Sequence, residues 1–256
     1  VDLPMDKEIA GLGTLGPKME APTAELTGRE GFDVSGFAIV PALLTSSEAE
    51  VFRTESESFL TAGAGARGLL NRPTIASLAR QLLESPRLAA FLPREGVAVQ
   101  CTYFEKTSDT NWFVPWHQDV SLPCRRGFGE VPIDRWSVKE GDDFVAAPAV
   151  VLETVVAVRI HLDPSREENG PLLVWPESHR SDLLSEREIG QLAGNHPVVA
   201  CCAEAGDAVV MRPLLVHSSK KSRSPLPRRV LHFLFGPVRP PLGLMWNVDE
   251  TPSRGV

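Results

Sequence analysis

In VPWHQDVSL, residues 114–122, His117 and Asp119 stand one residue apart. On an extended strand that spacing points both side chains to the same side. A second pair with the same spacing, His161 and Asp163, lies in RIHLDPS at 159–165. Such a pair is two-thirds of a metal site. Two imidazoles and one carboxylate on one face of an octahedron hold a redox-active iron and leave three positions open for co-substrate and O2. The carboxylate also offsets one unit of the ferrous charge. The remote histidine that would complete the set is His217, in LLVHSS. From the residues alone the two pairs remain rivals. His161 belongs to an alternating strand pattern, and Asp163 before Pro164 has the character of a turn residue.

Eleven residues beyond His217 comes Arg228, in PLPRRVLHFLF. A strand through His217, a turn through SSKKSRSPLP and a returning strand would bring Arg228 back beside the metal. A guanidinium there can hold a carboxylate through a bidentate, charge-assisted pair. This meets the needs of 2-oxoglutarate, whose oxo-acid end chelates a metal while its far carboxylate needs a cation. Ser219 offers a hydroxyl donor, and Arg229 reads as a solvated neighbour. Arg159 and His161, on one face of their strand, are candidates for the wall of a substrate pocket. Trp112, Phe113 and Trp116 either pack the mouth of the site or form an aromatic substrate wall. His179, His196 and His232 lack a partner at ligand spacing and read as surface or structural residues. Arg125, Arg126, Lys220, Lys221 and Arg223 read as solvated loop and turn charges.

The bulk numbers suit that chemistry. A chain of 256 residues with 43% hydrophobic and 23% charged residues can bury a large core. The formal charge of −7 argues against a nucleic-acid binder, which would carry a basic footprint. Four cysteines without a C-x-x-C fit reduced thiols better than a disulfide framework. The longest apolar run, FVAAPAVVLETVVAVRI, is interrupted by Pro148, Glu153 and Arg159, so no membrane span is expected. The N-terminal residues lack the layout of a signal peptide, and a cytoplasmic protein acting on a small molecule is the expectation.

Which elements would position these residues? Residues 1–30 read as a loose lead-in and 241–256 as a tail, around one domain at 31–240. GFAIVPALL (36–44) predicts a strand and turn. Ser47-x-x-Glu50 predicts a capping box opening a helix to about residue 62. Helices follow at 73–85, with Pro73 at the start, and at 85–92. Beyond Pro93 the texture changes to short strands at 97–105, 155–162, 171–175, 197–203, 207–211, 214–217 and 229–235, separated by Gly and Pro turns. The expectation is a mainly β fold with N-terminal helices (45–92) packed outside one sheet of a core at 97–236. Residues 121–150, rich in Gly, Pro and charge directly after HQD, read as a long inserted loop and a lid over the site.

The order YFEK…VPWHQD, RIHLD…ENGPLLVWPESHR, GDAVVMRPLLVHSS and RRVLHFLF resembles the phytanoyl-CoA dioxygenase family. The resemblance covers roughly residues 97–236. It implies a double-stranded β-helix (jelly roll, cupin-like) and an oxygenase using Fe(II), 2-oxoglutarate and O2, which hydroxylates a C–H bond. It places the ligands at His117, Asp119 and His217, and the co-substrate residues at Arg228 and Ser219. Trp136 is the nearest match to a tryptophan that lies near the co-substrate in such enzymes. It also favours HQD over HLD, because the family's H-x-D precedes its NG-P-L stretch by several strands. Glu177 stands where the family usually has glycine, a departure that bears on a turn. Other readings of the same ligands are a zinc hydrolase with a metal-activated water and a non-catalytic jelly-roll binding protein.

Overall fold

The computed structural model describes residues 19–20, 28–59 and 65–248. The chain opens with β1 (Met19–Glu20), α1 (Arg29–Ser35), β2 (Phe37–Val40), α2 (Ser46–Ser56), β3 (Gly65–Ala66) and α3 (Pro73–Glu84). A long strand, β4 (Gly96–Lys106), leads to β5 (Val114–His117), β6 (Ser121–Pro123), β7 (Trp136–Lys139), β8 (Asp142–Ala146) and the short α4 (Ala149–Leu152). Then come β9 (Val156–His161), β10 (Leu172–Val174), α5 (Glu186–Leu192), β11 (Val198–Cys201), β12 (Ala208–Met211), β13 (His217–Ser219) and β14 (Arg228–Pro237).

Two sheets carry the architecture, a six-stranded one ordered β2-β12-β9-β14-β4-β3 and a five-stranded one ordered β1-β11-β10-β13-β5. Except for β1 beside β11, their pairs are antiparallel. This is the double-sheet jelly roll expected from the alternating strands. Period-2 alternation divides the large sheet cleanly. Val156, Val158 and Ile160 of β9 and Leu231, Phe233 and Phe235 of β14 pack outward, against Ile75, Leu78, Ala79, Leu82 and Leu83 of α3. Ala157, Val209, Met211 and Leu234 turn inward and meet Leu172, Val174, Val199 and Cys201 from the small sheet. The back of the small sheet is covered by Ile189 and Leu192 of α5, over Leu173, Trp175 and Val216.

Pro73 begins α3 as predicted. Other expectations need correcting. The capping box of α2 is Thr45 with Glu48: Thr45 Oγ1 accepts from the Glu48 amide at 3.2 Å, and Glu48 Oε2 accepts from the Thr45 amide at 2.7 Å. Residues 86–90 are turns rather than a further helix, because Ser85 before Pro86 is held extended at ψ 121°. The helix is also shorter than expected: α2 ends at Ser56 and residues 57–59 are turns, short of the end expected near residue 62, which itself lies outside the described residues. Within the lead-in, Met19–Glu20 pairs with β11 and α1 starts at Arg29; its other residues up to 27 are outside the described set.

Residues 121–150 are not an irregular loop but a third sheet, ordered β6-β8-β7. Its hairpin turns at Glu140 and Gly141, with φ of 53° and 91°, the two left-handed positions of a type I′ turn. The segment after β14 also departs from a tail. Leu244 and Trp246 are buried in the intersheet core, and Trp246 Nε1 donates to the Pro237 carbonyl at 2.8 Å. Gly236 makes this possible, since a Cβ there would stand 2.6 Å from the Trp246 ring. Residues 249–256 lie outside the described set. All four cysteines are free. Among the described residues no helix is long and apolar enough to cross a membrane.

Candidate metal centre

β5 and β13 are neighbours in the small sheet, and their register sets His117 directly opposite His217. The two rings lie 4.2 Å apart between centroids. Asp119 follows β5, its amide donating to the Pro213 carbonyl at 2.9 Å. Between them, Gln118 points away and locks the segment: its Nε2 donates to the carbonyls of Asp182 and Leu214, and its Oε1 accepts from the Leu184 amide. The middle residue of H-Q-D is therefore a buried anchor that holds its two neighbours on the opposite side. A register irregularity between His217 and Ser219 shapes the other half of the site.

The two histidines are prepared in the same way. Each Nδ1 lies 2.8 Å from the carbonyl two residues earlier, Pro115 for His117 and Leu215 for His217. A carbonyl only accepts, so each Nδ1 carries the proton and each Nε2 presents a lone pair. Both Nε2 atoms lie 3.6 Å from the Asp119 carboxylate. Among the described residues, His117, Asp119 and His217 are the group whose ligand atoms all lie within 4.8 Å of one another. Two neutral imidazoles, oriented by backbone acceptors, and one carboxylate suit a divalent cation of the Fe(II) type. His117 and Asp119 are about a third exposed while His217 is buried, so this end of the interior opens to solvent.

Electrostatics follow from burial and this grouping. Burial drives His217 down to about 3, with His117 beside it adding to the effect. For His117 the penalty of burial is overcome by Asp119, which raises it. Burial alone would raise Asp119, but His217 and His117 hold it well below the usual carboxylate range. His232, read above as surface or structural, belongs here instead. It is buried on the inward face of β14, its Nε2 lies 3.9 Å from Asp119, and its Nδ1 has no partner among the described residues.

At the far end of the interior, Arg228 is buried, its Nε donating to the Asn169 carbonyl at 3.2 Å while Nη1 has no partner among the described residues. Directly opposite in register stands Lys106 of β4, also buried. Its Nζ donates to Ser219 Oγ at 2.7 Å and to the Lys220 carbonyl, and Ser219 Oγ donates onward to the Gly170 carbonyl at 2.9 Å. Burial, with Arg228 and Arg159 nearby, lowers Lys106 to about 7. Burial and Arg159 lower Arg228 to about 9. Sequence reasoning missed Lys106. The signal was its place at the end of a long strand, in YFEK, but only the partner strand reveals what it faces.

The remaining candidates separate. Arg159 and His161 do face the interior: Arg159 has no hydrogen bond or ion pair among the described residues, and His161 is fully buried with both ring nitrogens unpartnered. Trp116 points the other way, packing on Trp175 at 4.6 Å between centroids outside the small sheet. Trp136 sits on β7 with Arg126 over its ring, packed against the edge of the intersheet core. Arg229 is no solvated neighbour. It grips Asp163 at 2.7 and 3.0 Å on the helix side, where Arg53 of α2 also reaches that carboxylate. His161 and Asp163 therefore diverge.

Comparison with known proteins agrees with this fold. The chain is 27% identical over 224 residues to an L-proline trans-4-hydroxylase of Streptomyces griseoviridis, covering 72% of this chain and 69% of that protein. The apoform of EctD from S. alaskensis superposes with a TM-score of 0.64 at 18% identity, over 92% of this chain and 87% of its own. HygX from Streptomyces hygroscopicus, with nickel and 2-oxoglutarate bound, gives 0.57 at 19% identity over 85% and 88%. The model of the phytanoyl-CoA dioxygenase (PhyH) family matches residues 38–230, from β2 into β14. On that match the chain belongs to the phytanoyl-CoA dioxygenase family and is an Fe(II)- and 2-oxoglutarate-dependent dioxygenase.

Proposed function

We propose that His117, Asp119 and His217 hold Fe(II), and that the enzyme hydroxylates a C–H bond of a small molecule. The observation that carries this reading is the pair of imidazoles whose Nδ1 atoms are tied to backbone carbonyls while both Nε2 lone pairs face one carboxylate. When bound, iron with 2-oxoglutarate and O2 supplies the oxidising power and releases succinate and CO2.

The chain's own residues do the rest. Arg228 receives the distal carboxylate of 2-oxoglutarate, its unpartnered Nη1 supplying a free donor. Lys106 adds a second positive charge at the same level, and Ser219 orients that ammonium rather than contacting the co-substrate first. Asp119 occupies the third ligand position, which a halide would need, and so favours hydroxylation. The exposed side at His117 and Asp119 admits the substrate, and the apolar intersheet core excludes water from the far end. A hydrolase would leave the cations at Lys106 and Arg228 with nothing to hold. The relative named for L-proline hydroxylation makes small amino acids the first substrates to try.

The test is anaerobic addition of Fe(II) and 2-oxoglutarate, read as a weak visible charge-transfer band, followed by succinate release on admitting O2 with candidate substrates. The band forms in the unaltered protein, and substrate-linked succinate release is lost in Asp119→Ala; release that survives in that variant overturns the ligand assignment. Tight zinc retention without a band would instead support hydrolysis.

A further inference from the structure

The inward faces of the large sheet hold more positive charge than the proposed co-substrate accounts for. Lys106, Arg159 and Arg228 are buried there; Asp119 acts on Arg159, and Asp163, which acts on Arg228, is already held by Arg229 and Arg53. The two charges of Fe(II) and the two of 2-oxoglutarate cancel, so a loaded site still carries surplus cation. A buried charge without a counter-charge is costly, and such groups are ordinarily paired. Arg228 and Lys106 stand together and suffice for one distal carboxylate. Arg159 is left over.

Its place in the fold differs from theirs. On β9, Arg159 is directly opposite His232 of β14, the residue whose Nε2 lies 3.9 Å from Asp119. Arg228 is four residues further along β14, roughly 13 Å at about 3.3 Å per residue. The backbone of Arg159 is thus level with the metal trio, while its guanidinium also lies within electrostatic reach of Lys106 and Arg228. Its Nε has no partner, its guanidinium carbon lies 5.7 Å from the centre of the Phe104 ring, and the residue keeps 9% exposure. Next to it on the same face, His161 is buried with both nitrogens unpartnered. These are polar groups without partners among the described residues, on the sheet face that also carries His232, with an aromatic ring against the guanidinium.

We propose that Arg159 binds a carboxylate of the primary substrate, so that the enzyme selects carboxylate-bearing small molecules whose reacting C–H bond lies a few atoms from that carboxylate. His161 supplies a second donor to the same group, and Phe104 packs the substrate's apolar body. The inference rests on the oxygenase reading above and deepens it to a substrate class.

The test uses the enzyme loaded with Fe(II) and 2-oxoglutarate and a panel of matched acids and amides: L-proline with L-prolinamide, and other cyclic and acyclic amino acids with their carboxamides. Substrate-stimulated succinate release is expected from carboxylate members alone. Arg159→Met raises the KM of the active acid at least thirtyfold and Arg159→Lys by less. Formation of the anaerobic charge-transfer band in both variants shows that they are folded, and their half-saturation by 2-oxoglutarate shifts less than threefold. Four results overturn the proposal: an amide serving as well as its acid, no active carboxylate in the panel, an unchanged KM in Arg159→Met, or a weakened 2-oxoglutarate titration with substrate KM intact. Absence of the band in the unaltered enzyme instead removes the oxygenase reading, and the anchor with it.

Discussion

Lys106 and Arg228 stand directly opposite each other on adjacent antiparallel strands, both buried, and among the described residues no carboxylate forms an ion pair with either. Like charges facing across a ladder destabilise a sheet, so this pair weakens the unliganded protein and favours an anion. 2-Oxoglutarate at a hundred times its Kd should therefore stabilise the protein by about 2.7 kcal/mol, a rise in Tm of roughly 5–10 °C by thermal shift. Lys106→Met should raise the Tm of the unliganded protein and shrink the shift produced by 2-oxoglutarate.

Binding should also depend on pH in a defined direction. Lys106, lowered to about 7, is charged below that pH and neutral above it in the unliganded protein. A carboxylate placed beside the ammonium raises it again, so binding takes up a proton above pH 7. The Kd for 2-oxoglutarate should rise with pH above about 7, by at most about tenfold per unit for one linked proton. Calorimetry in buffers of different ionisation enthalpy measures that proton directly, and Lys106→Met should abolish its uptake.

Arg228 and Arg229 are adjacent in sequence but face opposite sides of β14, so their substitutions should differ in kind. Arg228→Ala should raise the 2-oxoglutarate requirement by tens-fold or more. Arg229→Ala breaks the forked pair with Asp163 on the helix side, and should cost about 1–3 kcal/mol of stability while leaving the co-substrate titration nearly unchanged. Denaturant unfolding and the charge-transfer titration, run on both variants, separate the two effects. A raised requirement in Arg229→Ala alone would transfer the role to that residue.

Glu177 shows what the departure from glycine does. It sits at φ 68°, left-handed backbone that a side chain adopts at a cost. Its ion pair with Arg180, at 3.8 Å between exposed groups, returns little. Glu177→Gly should stabilise the fold by about 1 kcal/mol, a gain of some 2–4 °C in Tm, without altering metal affinity.

Much of this protein was written locally. Alternation marked most strands of both sheets, although the strand expected at 214–217 is a turn followed by β13 at His217–Ser219, and Pro73 marked the start of α3. The H-x-D spacing suggested that His117 and Asp119 share a side, and because β5 ends at His117 it is the Gln118 anchor that keeps them there. The turn at Glu140–Gly141 was equally local, in the two-residue E-G between strand-like runs, though Gly and Pro nearby made the whole segment read as loop. What period two leaves open is which side of a strand is the interior. Both Trp116 and His117 are partly buried, so either could be the inward residue until α5 and Trp175 claim the tryptophan. The same holds for His161 and Asp163, which the spacing put together and Arg229 and Arg53 pull apart. His232 beside Asp119, Lys106 opposite Arg228 and the unpartnered Arg159 are relations between strands far apart in the chain. They arise from sheet order and register, which depend on how all the apolar faces are buried at once, and no window of sequence contains them.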